Sequence, residues 1–110
     1  MKESGIVTAI QTYLQILENQ GKLVVQRNNS GAVMTHRLGR NNFIRFGKAG
    51  SPDFYVFLPN GKTIMLEVKN EKGKLSENQQ EFKDRVERLG FRYEVARSVD
   101  EAQAAILRPT

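Results

Sequence analysis

Apolar residues at Ile6, Val7, Ile10, Tyr13, Leu14 and Leu17 recur at intervals of three and four, the spacing of one helix face. They predict an amphipathic helix over residues 4–19 that stops at Gly21. The pattern then tightens. Leu23, Val24 and Val25 predict a strand over residues 22–26, running into Arg27-Asn28-Asn29-Ser30-Gly31, where Asn and Gly tolerate left-handed backbone. Residues 31–50 are basic and polar, with Phe43, Ile44 and Phe46 as material for one short strand. Two β-like runs, 54–58 and 62–70, flank a Pro59-Asn60-Gly61 turn and read as a hairpin. A charged loop over 71–74 precedes Ser76, which can cap a helix whose apolar stripe is Phe82, Val86 and Leu89, ending at Gly90. Residues 91–96 read as a further strand, and Ser98-Val99-Asp100-Glu101 as a capping box opening a short helix through Ile106. This succession suits one α/β domain spanning residues 1–110, a mixed sheet flanked by helices.

Charge breaks the pattern in the hairpin. Asp53 opens its first run, and Glu67 and Lys69 interrupt the second, two apart and therefore on one face. Ionised groups are costly to bury alone, so two carboxylates and an ammonium converging on a sheet suggest a bound cation and an anionic substrate. The turn tests this. A two-residue Asn60-Gly61 turn sets Asp53 opposite Val68, on the wrong face. A three-residue loop of Pro59, Asn60 and Gly61 pairs Leu58 with Lys62 and sets Asp53 opposite Glu67. We expect the second, with glycine left-handed as a bulge, although a bend at Ser51-Pro52 could also re-aim Asp53.

Glu3 has two readings. In a helix that starts early enough it continues the stripe of Val7, Ile10, Leu14 and Leu17 and points inward; with Ser4 as N-cap it lies outside. Gln79 also has two, since as the fourth residue of Ser-x-x-Gln it can reach back to Ser76.

Composition narrows the partners. Seventeen Lys and Arg against twelve Asp and Glu give a net charge of +5, which favours a polyanion. Arg37, Arg40, Arg45 and Lys48 are interleaved with Phe43 and Phe46, a mix able to track a nucleic-acid backbone, while the aromatics suit a core strand. The chain has no Cys and one His, His36, which leaves no disulfide framework and no zinc set. With no apolar run of membrane-spanning length and no signal peptide in view, a cytoplasmic protein is expected.

Pro52-Asp53 followed by Glu67-Val68-Lys69 resembles the PD-(D/E)xK nuclease signature. Together with Arg27 to Gly31, Gly47-Lys48-Ala49-Gly50-Ser51, Gly73 and Ser76-Glu77-Asn78-Gln79, the chain resembles the virus-type replication-repair nuclease (VRR-NUC) branch of that superfamily. The resemblance implies a restriction-endonuclease-like fold and metal-assisted phosphodiester hydrolysis. It implies Mg²⁺ or Mn²⁺ on Asp53, Glu67 and the Val68 carbonyl, with no organic cofactor. Lys69 would act at the attacking water, Glu3 and Gln79 would lie in the catalytic neighbourhood, and Arg27 and Ser30 would meet phosphate. Stand-alone members of the branch resemble Holliday-junction resolvases, so a homodimer acting on branched DNA in repair is the leading expectation. The alternatives are a nucleic-acid-binding module without catalysis and a domain in which these charges are only surface ion pairs.

Overall fold

The computed structural model describes residues 1–28, 32–37, 40–45 and 48–109, with 32–37 and 40–45 described by backbone alone. The elements are α1 (Glu3–Asn19), β1 (Val24–Arg27), β2 (Ala32–Arg37), β3 (Arg40–Arg45), β4 (Phe54–Leu58), β5 (Lys62–Val68), α2 (Glu77–Arg88), β6 (Arg92–Ala96) and α3 (Val99–Leu107). One four-stranded sheet has the order β1-β4-β5-β6. The first three strands pair antiparallel, and β6 joins β5 in parallel. A parallel pair needs a crossover, and α2 provides it. The result is a mixed sheet with three helices, an α/β fold of the expected class.

Three expectations are corrected. The single strand expected around Phe43 is half of a separate hairpin, with β2 and β3 paired antiparallel from Ala32↔Arg45 to Arg37↔Arg40. The first strand starts two residues later than expected, and Leu23 precedes it as a buried core residue. Leu89, expected on the buried stripe of α2, is 76% exposed, because it sits at the helix C-cap beyond the sheet.

The core lies on one face of the sheet. Alternation sends Phe54, Val56, Ile64, Leu66 and Val68 to that side, where they meet Ile6, Val7, Ile10 and Leu14 of α1 and Ala102 of α3. Helix α2 covers part of the opposite face through Phe82, whose ring centroid lies 6.4 Å from that of Tyr93. Between β4 and β5 the register pairs Leu58 with Lys62, so the loop has three residues as expected. Both Asn60 (φ 65°) and Gly61 (φ 73°) are left-handed, one residue more than a single glycine bulge requires. Among the described residues no helix is long and apolar enough to cross a membrane.

Candidate active site

The β4–β5 pairing ends at Phe54↔Leu66, and Asp53 and Glu67 are the next residues along the two chains beyond that pair. Asp53 Oδ2 accepts the Val68 N–H at 2.8 Å, so the carboxylate closes the end of the β4–β5 ladder where a strand carbonyl would otherwise stand. Glu67 is only 3% exposed. Its Oε2 accepts Gln79 Nε2 at 2.9 Å and lies 3.5 Å from Lys69 Nζ. Burial, then the charge of Asp53, pushes the Glu67 carboxyl up to about 7, against the opposing pull of Lys69. The site holds more negative charge than its one ammonium offsets.

The segment leading into Asp53 is fixed by Asn28. Its Nδ2 donates to Ser51 Oγ at 2.8 Å and to the Pro52 carbonyl at 2.9 Å, and its N–H donates to the Asp53 carbonyl at 2.8 Å. Ser51 Oγ in turn donates to the Lys48 carbonyl at 2.7 Å. Gly50 has φ 83°, and a Cβ there would stand 2.1 Å from the Asn78 carbonyl oxygen at the start of α2. Only glycine permits that approach between the Asp53 segment and the helix carrying Gln79.

Gln79 makes hydrogen bonds in two directions. Its backbone N–H donates to Ser76 Oγ and its Oε1 accepts the Ser76 N–H, completing the capping box, while the amide's other end donates to Glu67. Glu3 lies inside α1, with Lys2 rather than Ser4 as the N-cap. It reaches the site through Lys69, at 3.9 Å from Nζ. Past Lys69, Asn70 Oδ1 accepts the N–H groups of Lys72 and Gly73. Arg97 Nη1 donates to the carbonyls of Asn70 and Gly73 at 2.6 and 2.7 Å. A Cβ on Gly73 would press on the Lys69 stem at 3.3 Å. The loop is thus cinched against Lys69.

The residues suit a divalent cation. Asp53 and Glu67 are adjacent hard-oxygen donors, each with one oxygen committed to a protein donor, and burial, then the charge of Asp53, raises the Glu67 carboxyl. The Tyr93 hydroxyl, buried on the same face, has no hydrogen-bond partner among the described residues. Among the described residues no group of three or more His, Cys, Asp and Glu is placed to hold a metal.

Of the expected nucleic-acid residues, only Arg27 and Lys48 have described side chains. Arg27 Nη1 donates to Gln11 Oε1 at 2.8 Å and its guanidinium lies 5.4 Å from the Phe54 ring centroid, on the sheet face opposite Asp53 and Glu67. Lys48 is exposed and lines a pocket of about 240 Å³ with Arg85 and Glu81 at the edge of α2. Ser30 lies outside the described residues. Arg37 of β2 and Arg40 of β3 are paired and Arg45 ends β3, their side chains lying outside the description. Sequence reasoning assigned no role to Asn28, Arg97 or Tyr93. The Arg27 to Gly31 motif contains Asn28, whereas Arg97 and Tyr93 read as ordinary strand residues.

The sequence profile described as "VRR-NUC domain" matches residues 9–100. A solved structure titled "VRR_NUC domain" has the same fold, with a TM-score of 0.66 at 22% identity over 100% of this chain and 99% of that one. No curated protein sequence matches the chain.

Proposed function

The chain belongs to the VRR-NUC domain family, whose function is nuclease-type, and on that premise we propose that it is a Mg²⁺- or Mn²⁺-dependent DNA endonuclease acting on branched DNA. The observation that carries this reading is a buried Glu67 carboxylate with Lys69 Nζ 3.5 Å away and Asp53 beside it at the end of the β4–β5 hairpin. Asp53, Glu67 and the Val68 carbonyl would hold the ion. Once bound, it supplies Lewis acidity at the scissile phosphate and acidifies water for attack.

The chain's own groups do the rest. Lys69 Nζ, as an ammonium, would orient the attacking water or, by its charge, ease loss of the water's proton to solvent, and would offset charge developing on the phosphoryl oxygens. Gln79 fixes the Glu67 carboxylate, Asn28 fixes the Asp53 segment, and Glu3 orients Lys69. Lys48 and the arginines at 37, 40 and 45 would supply positive charge for the DNA backbone, with Ser30 a further phosphate contact, whereas Arg27, on the opposite face, is left out of this set. Matched cuts on two strands of a junction need two sites, and one chain has one, so a homodimer follows. The same reading places the protein in the cytoplasm, in DNA repair.

The test is cleavage of labelled junction, flap, duplex and single-stranded DNA with and without each ion. Metal-dependent junction cutting supports the proposal. Binding without cutting under every condition supports a non-catalytic module instead.

A further inference from the structure

Tyr93 pairs with Met65 across β5 and β6. Met65 and Glu67 are two apart, so Tyr93 shares a sheet face with Glu67 and Asp53. Its ring packs on Phe82 of α2, it is 4% exposed, and its hydroxyl has no hydrogen-bond partner among the described residues. A buried hydroxyl without a partner is costly and uncommon, and phenylalanine would fill the same space without that cost. Burial and the charges of Glu67 and Asp53 all push its phenol far above the ordinary value, so it stays a neutral O–H that can both accept and donate.

We propose that Tyr93 is a positioning residue of the cation site, its phenol oxygen accepting a hydrogen bond from the hydration water of the divalent ion held by Asp53 and Glu67. Mg²⁺ keeps several of its waters when it binds protein carboxylates, and those waters need acceptors once buried. Tyr93 is an acceptor already in place, without a competing partner. The inference rests on the proposed metal site.

Tyr93→Phe separates this role from a structural one. Mg²⁺ and Mn²⁺ affinities of the intact protein would be measured by calorimetry without DNA, alongside thermal unfolding with and without metal. The expected result is a metal-free Tm equal to or above that of the native chain, with metal affinity weakened by roughly tenfold. Weakening of less than about threefold overturns the proposal. So does a metal-free Tm that falls by several degrees, because the hydroxyl then has a partner within the fold. If the native chain binds neither ion, the proposed metal site fails first, and that result is distinct from native binding which Tyr93→Phe leaves unchanged.

Discussion

The two faces of the sheet are built for different purposes from the same strands. Toward α1 and α3, Ile10, Leu14, Phe54, Val56, Ile64, Leu66 and Val68 are each 1% exposed or less. Toward α2, no helix residue is fully buried, and the side chains the sheet buries there include Glu67 and Tyr93. Strand β5 serves both sides, sending Ile64, Leu66 and Val68 one way and Met65 and Glu67 the other. A buried carboxylate destabilises the strand that carries it. The apolar face offsets that cost and keeps Asp53 and Glu67 in register, so stability and chemistry are separated by one residue of alternation.

Substitutions on the two faces should therefore fail in different assays. Phe54→Ala opens a cavity in the apolar face and should cost about 3–5 kcal/mol in chemical denaturation. A loss under 1 kcal/mol would mean that this face is not the main source of stability. Lys69→Ala should slow single-turnover cleavage by roughly 100-fold or more, about 3 kcal/mol in barrier, with the fold retained by circular dichroism. Cleavage near the native rate would remove Lys69 from the mechanism.

The acidic face should also carry a pH signature. In metal-free protein the Glu67 carboxyl is raised from 4.5 to about 7, so the folded state binds a proton that the unfolded chain has released. Its contribution is present below about 4.5 and is lost as pH rises toward 7, lowering stability by up to roughly 3 kcal/mol. Denaturation of native chain and Glu67→Gln across that range should show the fall only in the native chain. Identical profiles would mean that Glu67 is not desolvated. The smallest effect belongs to the periphery of α2, where Leu89→Ser should shift stability by about 0.5 kcal/mol or less; a larger loss would show that Leu89 is covered in solution.

Much of this division was legible in the sequence because alternation and turn length are local. The Pro59-Asn60-Gly61 loop was enough to choose the register that sets Asp53 against Glu67, and Ser76 with Gln79 announced the start of α2. What escaped was decided by partners distant along the chain. Asn28 acts on a segment more than twenty residues away, and Arg97 on a loop at similar separation. An aromatic in a strand reads as core until its hydroxyl is found without a partner, as at Tyr93. The β2–β3 hairpin escaped because its polar residues lack the apolar alternation that marks a half-buried strand.

The central claim is that Asp53 and Glu67 jointly hold a divalent ion. Calorimetric titration of Mg²⁺ and Mn²⁺ into native chain, Asp53→Asn, Glu67→Gln and Lys69→Ala tests it most directly, since the first two substitutions keep side-chain shape and remove charge. Binding should be lost in Asp53→Asn and in Glu67→Gln, and should be kept or strengthened in Lys69→Ala, where a nearby positive charge is gone. Native affinity in either Asp53→Asn or Glu67→Gln would contradict the claim.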